Sequence, residues 1–270
     1  MSSSRPRSLR MPTVVTCAAV LAVFAAAAAT SGRPATAAPA ALRTAALPLA
    51  GLIVSVDPGH NPGNAAHAAQ VNQIVRQGPI RKACDTTGAA TNSGWPEYAF
   101  TGDLATRVAR RLRAQGATVI LTRANGTPAW GPCVTERAAL GNAADVSISL
   151  HADGNNARTA RGFHVIRPGF IKGGASRGVR TRSLALATLV RDALVAGTAM
   201  PVSTYIGRAG LDVRTDLGGL TLSTVPKVML EAGNLRNATD ARLLMSAPQR
   251  ELLAAAITTA LVNWHAAETA

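Results

Sequence analysis

The sequence predicts an α/β protein: a single three-layer domain in which a largely parallel or mixed sheet of about six strands is flanked by helices. Short apolar runs typical of buried strands alternate along the chain with longer segments of helical periodicity, which favours strands joined by helical crossovers. The 270 residues contain no internal repeat and no sign of a second domain. With 47% hydrophobic and 16% charged residues, the chain is too apolar for a disordered protein.

The first strand is predicted at residues 52–56, a continuous apolar run that ends at the turn Asp57-Pro58-Gly59. Residues 61–93 show no sustained period and are rich in Gly, Ala, Asn and Gln, so they predict a long surface excursion. Loops of that length are commonly functional. This one is expected either to cover part of the substrate site or to be a purely structural loop.

A helix is predicted at residues 96–115, where Leu104, Val108 and Leu112 recur at four-residue steps and Gly116 ends the pattern. The later elements continue the alternation of strand and helix. They are strands at residues 117–122, 146–150, 162–166 and 225–230, and helices at residues 135–144, 183–196 and 239–266.

The N-terminal segment has the pattern of a secretory signal peptide, because arginines precede an apolar stretch and Ala35-Thr36-Ala37 is an A-x-A cleavage pattern. A retained membrane anchor is the alternative, but the apolar run is mostly Ala and lacks a basic flank on its far side. We expect a secreted protein, located in the periplasm or the cell wall. The predicted parts are a signal peptide at residues 1–37, a lead-in linker at 38–50 and a catalytic domain at 51–268.

The protein is strongly basic, with 28 Lys and Arg against 14 Asp and Glu and a formal charge of +14. Loss of residues 1–37 removes four arginines and no acid, which leaves 24 basic against 14 acidic residues, or +10. This charge favours an anionic cell-wall polymer as a partner, although a solvated arginine-rich surface explains it equally well. Only nine aromatic residues are available for stacking, so no nucleic-acid partner is predicted, and a monomer is expected.

Two cysteines, Cys84 and Cys133, remain after removal of the signal peptide, and export places them in an oxidising compartment. Both lie in segments rich in Gly, Pro or Thr. A disulfide between them is predicted, which joins two loops separated by about 50 residues; two isolated thiols are the alternative.

Ionisable residues follow three of the predicted strands at the edge where parallel sheets place functional groups: His60, His151 and Glu231. Glu97 opens the first predicted helix and, at roughly 100° per residue, shares the apolar face of that helix. A carboxylate on this face needs a partner, because a buried unpaired charge is costly. The alternative is that Glu97 turns outward and complements the helix dipole.

Two imidazoles and one carboxylate with an open fourth position form the ligand set of a catalytic zinc site, and such a set also accommodates iron. His60, Glu97 and His151 are the predicted ligands, which leaves Glu231 as the general base for an attacking water. No H-E-x-x-H motif occurs, so the common metalloprotease helix is excluded as the source of the site. The inferred chemistry is metal-assisted hydrolysis.

Four sequence blocks also match a known family in order and spacing over residues 51–266. They are Val54 to His60, Glu97 at the start of a helix, Ser147 to Asp153, and Val228 to Asn234. In these blocks the chain resembles the zinc-dependent N-acetylmuramoyl-L-alanine amidases, the amidase_3 family. The resemblance implies an α/β fold, one zinc ion held by His60, Glu97 and His151, and Glu231 as the catalytic carboxylate.

The resemblance also implies a substrate: peptidoglycan or its muropeptide fragments, cut between the lactyl group of muramic acid and the first L-Ala of the stem peptide. Some relatives carry a long helical insertion after the second histidine, but here only residues 154–160 separate that motif from the next strand. Asn234-Leu235 stands where an aromatic residue often follows the last motif. The alternatives are a zinc peptidase of other specificity and a non-catalytic, basic cell-wall-binding protein.

Overall fold

The computed structural model describes residues 46–123 and 130–270, so the predicted signal peptide at residues 1–37 lies outside the described residues. The strands are β1 (Ile53–Pro58), β2 (Ile74–Gln77), β3 (Ile80–Ala83), β4 (Thr118–Leu121), β5 (Val146–Asp153), β6 (His164–Pro168), β7 (Leu211–Arg214) and β8 (Lys227–Asn234). The α-helices are α1 (Ala68–Val71), α2 (Glu97–Ala114), α3 (Val134–Asn142), α4 (Arg177–Gly197), α5 (Gly218–Thr221), α6 (Ala238–Met245) and α7 (Ala247–Thr269). None of these helices is long and apolar enough to cross a membrane.

Six strands form one mixed sheet in the order β4-β1-β5-β8-β6-β7, and β2 pairs with β3 in a separate antiparallel hairpin. The strands β4, β1, β5 and β8 are parallel, whereas β6 runs antiparallel to β8 and β7 runs parallel to β6. The predicted α/β fold with a largely parallel or mixed sheet is confirmed. The C-terminal ends of β1, β5 and β8 therefore meet at one edge, next to the N-terminal end of β6.

The two faces of the central strands differ in chemistry because alternate residues of a strand point to opposite sides. One face is apolar and joins the main core together with Phe100 of α2, Leu186 of α4 and Ile257 of α7. The other face lies towards α3 and α5 and is largely polar. Its side chains include Ser55, Asp57, Ser147, Ser149 and Lys227, all buried. The sheet therefore presents a polar face directly below the edge where its strands end.

The structure differs from the sequence prediction at two helices. The helix expected at residues 183–196 begins at Arg177, because the Ser176 side chain caps it by accepting a hydrogen bond from the Val179 N–H. The closing helix expected at residues 239–266 is wrong as a single element and is instead α6 followed by α7. Ser246 ends the first and caps the second, and a proline occupies the first turn of α7, where its missing N–H costs nothing.

The excursion at residues 61–93 contains structure that its sequence did not indicate, namely a 3₁₀ turn, α1 and the β2–β3 hairpin. Cys84, directly after the hairpin, forms a disulfide with Cys133, the residue before α3. Their Cα atoms are 4.7 Å apart, and the Cys84 carbonyl accepts a hydrogen bond from the Val134 N–H. The end of the excursion is thus fixed to the start of α3, as the predicted disulfide requires.

Removal of this disulfide is expected to lower the free energy of unfolding by about 4 kcal/mol, because the bond closes a loop of roughly 50 residues in the unfolded chain. Urea unfolding of the Cys84→Ser, Cys133→Ser double variant measures the loss. Reductant should lower the free energy of unfolding of the wild-type protein to that of the double variant. It should leave the free energy of unfolding of the variant unchanged. A variant as stable as the oxidised wild-type protein contradicts the expectation.

Candidate metal centre and active site

The three side chains predicted to bind a metal lie together at the C-terminal edge of the sheet. His60 follows β1, Glu97 is the first residue of α2, and His151 is on β5. One donor atom from each lies within 4.8 Å of the other two. His60 Nε2 is 3.3 Å from Glu97 Oε2, and His151 Nδ1 is 3.0 Å from Glu97 Oε1. The fold therefore brings together the three residues that the sequence singled out.

Glu97 is buried and does not turn outward. Its carboxylate accepts hydrogen bonds from the backbone N–H groups of Ala89, at 2.8 Å, and Ala152, at 3.0 Å. Burial alone raises the pKa of this carboxyl, but the charge of His60 and the hydrogen bond from His151 outweigh burial and hold the pKa well below its ordinary value. Glu97 is consequently an ionised carboxylate that the main chain keeps in one position.

His60 is held by the loop that follows the disulfide. Its Nδ1 lies 3.0 Å from the Thr86 carbonyl oxygen and 3.4 Å from Asp85 Oδ1, which fixes the ring and leaves Nε2 facing Glu97. Burial lowers the pKa of His60, but the charge of Glu97 and the hydrogen bond to Asp85 raise it to about 10. The backbone of His60 is left-handed, with φ of 59°, which costs about 1 to 2 kcal/mol for a residue with a side chain.

Arg137 of α3 stabilises that backbone, and sequence reasoning missed it. Its buried guanidinium donates to Asp57 Oδ1 at 2.9 Å, to the Pro58 carbonyl at 2.6 Å and to the His60 carbonyl at 2.9 Å. A further bond of 3.0 Å runs from Nε to the Pro132 carbonyl, next to the disulfide. One side chain thus connects the end of β1, the first histidine and the segment that leads into α3.

Asp57 is the buried counter-ion of Arg137. Burial raises the pKa of its carboxyl, but the charges of Lys227 and Arg137, with hydrogen bonds from Thr122 and Ser149, hold the pKa far below its ordinary value. Lys227 Nζ lies 3.5 Å from Asp57 Oδ2. The ionised Asp57 therefore sits between two cations beneath the site, which keeps the guanidinium of Arg137 in place.

Glu231 lies beside the three donors without belonging to their group. On β8 its Cα is paired with that of His151 on β5, and its Oε2 is buried with no hydrogen-bond partner among the residues that the structure describes. Burial and the charges of Glu97 and Asp153 raise its pKa well above the ordinary value. A carboxylate with an unbound oxygen and a raised proton affinity is suited to take a proton from a nearby water.

All four side chains line one cavity of about 370 Å³. Part of its wall comes from the excursion, with Gln77 and Ala83 at one end and Gly88 near the histidines. The excursion therefore borders the site, and its expected role as a cover over bound substrate stays a prediction. The cavity continues past Glu231 to Met229 of the same strand.

The donor set fits a catalytic metal rather than a closed structural one. Two imidazole nitrogens and one carboxylate oxygen supply three protein ligands, and the cavity leaves room for a fourth, non-protein ligand. The sulfur atoms of Cys84 and Cys133 are joined to each other and are not available as ligands. Within residues 46–123 and 130–270, no other three His, Cys, Asp or Glu side chains converge in this way.

Gly88 offers a direct test of this donor set. It has a φ of +78°, and a Cβ there would lie 2.7 Å from His60 Cδ2 and 2.9 Å from Glu97 Oε2. Gly88→Ala is therefore expected to displace two of the three donors and weaken zinc affinity by about 10- to 100-fold, measured by competition with a chromophoric chelator.

Gly94 is the matched control for that variant. Its φ is +88°, so alanine there meets a similar backbone penalty, but no heavy atom lies within 4 Å of the added Cβ. Gly94→Ala should keep wild-type zinc affinity. If both alanine variants bind zinc equally well, the donor set does not depend on the missing side chain at Gly88.

The fold and the site together define a class: an α/β domain with three potential metal ligands at the edge of its sheet and a carboxylate with an unbound oxygen beside them, the arrangement of a metal-dependent hydrolase. The family model for N-acetylmuramoyl-L-alanine amidases, Amidase_3, matches residues 54–263. The chain belongs to this family. The expected resemblance is confirmed, and family membership sets aside the alternative of a non-catalytic wall-binding protein.

Individual relatives agree with the family match. The chain is 39% identical, over 77% of its own length and 84% of the relative's, to the N-acetylmuramoyl-L-alanine amidase Rv3717 of Mycobacterium tuberculosis. It is similar to the crystal structure of the amidase Ami1 from Mycobacterium smegmatis, with a TM-score of 0.75, 37% identity, and coverage of 81% of this chain and 99% of that one. The apo form of Ami1 from Mycobacterium abscessus gives a TM-score of 0.71 at 34% identity, covering 80% and 99%.

Proposed function

We propose that this protein is a zinc-dependent hydrolase that cleaves the amide bond between the lactyl group of N-acetylmuramic acid and the L-alanine of the peptidoglycan stem peptide. The observation that carries the proposal is the unbound carboxylate of Glu231 beside three converging metal donors, in a chain of the amidase family. His60, Glu97 and His151 are the proposed zinc ligands, and Glu231 is the proposed catalytic residue.

A zinc ion held by His60, Glu97 and His151 would supply Lewis-acid chemistry, which polarises a carbonyl group and lowers the pKa of water to about 7. The Glu231 carboxylate then accepts the proton of the attacking water through its unbound oxygen. It returns this proton to the amide nitrogen as that nitrogen leaves, so no side-chain nucleophile is needed. The buried Glu97, held by the backbone N–H groups of Ala89 and Ala152, keeps its negative charge throughout and would share the ion with both histidines.

The proposal includes the route to the substrate. Residues 1–37 are the proposed signal peptide and residues 51–268 the catalytic domain, which reaches peptidoglycan after export to the periplasm or cell wall. The excess of basic residues is proposed to hold the enzyme on an anionic wall polymer, and this attraction should weaken as salt screens it. Wall binding that does not change with salt contradicts this part of the proposal.

Digestion of purified peptidoglycan by residues 38–270, with products read by mass spectrometry, tests the function. The expected products are stem peptides that begin with L-alanine and glycan strands whose muramic acid carries a free lactyl carboxyl. Chelator should abolish their release and zinc should restore it. Cleavage inside the stem peptide identifies a zinc peptidase instead, and a protein that binds no metal and cuts nothing overturns the proposal. Metal analysis of the purified protein separates zinc from iron.

A further inference from the structure

We propose that the end of the cavity remote from the metal donors binds a carboxylate of the stem peptide through the ammonium group of Lys82. The inference rests on the proposed function, since it assigns part of the substrate to part of that site. The cavity runs from the donors along β8, past Glu231 and Met229, to a remote end between the β2–β3 hairpin and the segment that joins β7 to α5. The remote end is lined by Gln77, Lys82, Asp216, Leu217, Gly218 and Gly219.

Lys82 is distinctive because the rest of the cavity is acidic. The other ionisable groups that line it, apart from the two histidines and Arg137, are all carboxylates: Asp57, Asp85, Glu97, Asp153, Asp216 and Glu231. The guanidinium of Arg137 is buried, with four donors bound to Asp57 and three carbonyl groups and with Nη2 also 3.6 Å from Asp85 Oδ2. Among the described lining residues, Lys82 is therefore the one cation that an incoming ligand can reach, with 47% of its side chain exposed.

The ammonium group of Lys82 is positioned but retains donors. Its Nζ donates to the Asp216 carbonyl oxygen at 2.8 Å, while the Asp216 carboxylate is more distant, with Oδ2 at 3.5 Å. That carboxylate is already bound by Arg214, whose Nε and Nη2 donate to its two oxygens at 2.7 and 2.8 Å. An ammonium group has three donors, so one remains for a ligand. Lys82 and Arg214 therefore share the Asp216 carboxylate at the remote end, and Lys82 keeps a donor for a ligand.

The spacing fits a peptide whose scissile bond lies at the metal donors. In the sheet register His164 is opposite Glu231, and Pro168, four residues further along β6, is opposite Arg214. Four strand residues span roughly 13 Å along β6, so the remote end lies several residues of extended peptide from the metal donors, at about 3.5 Å per residue. Stem peptides carry free or amidated carboxyl groups on their second and third residues, so these are the two sources of the carboxylate.

The test compares wild-type and Lys82→Gln proteins, as full-length, zinc-loaded chains, on three muropeptides. One has free carboxyls on both residues, one is amidated on the second residue, and one is amidated on the third. We expect wild-type kcat/KM to fall about fivefold, mainly through KM, on whichever amidated substrate has lost the carboxylate that Lys82 binds. In Lys82→Gln, the ratio of kcat/KM on the free substrate to kcat/KM on that amidated substrate should fall to about one. A ratio is used because a change in folding or metal content affects all substrates alike.

Lys172 supplies the control, because it is an exposed lysine that does not line the cavity. Lys172→Gln makes the same charge change and should keep the wild-type ratio. The inference is overturned if wild-type protein does not distinguish free from amidated substrates, or if Lys82→Gln distinguishes them as well as wild-type protein does. Failure to cleave any of the three muropeptides overturns the proposed function itself.

Discussion

Glu231→Gln is expected to reduce turnover by about 100-fold or more while the protein keeps its metal. Glutamine has nearly the same shape as glutamate but cannot accept the proton of the attacking water at neutral pH. The three donors do not depend on Glu231, because the Glu97 carboxylate is held by the histidine rings and by the N–H groups of Ala89 and Ala152. Steady-state assays on a muropeptide, with metal content measured on the same sample, check both parts of the expectation.

Glu268 provides a comparison variant. It is a carboxylate on α7 that pairs with Arg182 and does not line the cavity. Glu268→Gln should retain full turnover. Near-normal turnover by Glu231→Gln removes Glu231 from the mechanism, and loss of metal from that variant indicates a ligand rather than a general base.

Arg137→Met is expected to lower the free energy of unfolding by about 3 to 5 kcal/mol, because it leaves the buried Asp57 carboxylate without its closest cation. The Pro58 and His60 carbonyl groups also lose their hydrogen-bond donor. The left-handed backbone of His60 then relaxes, so zinc affinity should fall together with stability. Urea unfolding and zinc titration measure the two effects.

Two further variants keep this expectation testable. Arg110 is an exposed arginine that pairs with Glu251, so Arg110→Met should cost less than about 1 kcal/mol. Arg137→Lys keeps a positive charge near Asp57 but replaces three guanidinium nitrogens, which together reach four acceptors, with one nitrogen, so it should fold and bind zinc about tenfold more weakly. An Arg137→Met protein with the wild-type unfolding midpoint rules out the assigned role.

Sequence patterns predicted the helices and strands in which buried side chains recur at a regular spacing. The Leu104, Val108 and Leu112 spacing identified α2 because each of these side chains is completely buried in the core. The edge strand β7 was not predicted, because four residues with no fully buried side chain among them leave no pattern. The division between α6 and α7 did have a signal, the proline at position 248, but the apolar periodicity continues across it and suggested one helix.

The residues of the site that follow strands were predictable for a different reason. His60, His151 and Glu231 end apolar strands, and topology alone brings the ends of parallel strands to one edge. Arg137 was not predictable, because an arginine in a helix usually faces solvent, and only the packing of α3 against β1 directs it inward. The role of Lys82 depends on a hairpin within a segment that has no sequence period, so no pattern pointed to it.

The hydrogen bonds from the backbone to Glu97 also affect how long the protein resists proteolysis. Since folding itself assembles the donor set, a metal would bind the folded chain far more tightly than the unfolded chain. Each tenfold excess of free metal over its dissociation constant would then add about 1.4 kcal/mol to the free energy of unfolding. Metal supply would thus set the lifetime of this enzyme against proteases as well as its activity.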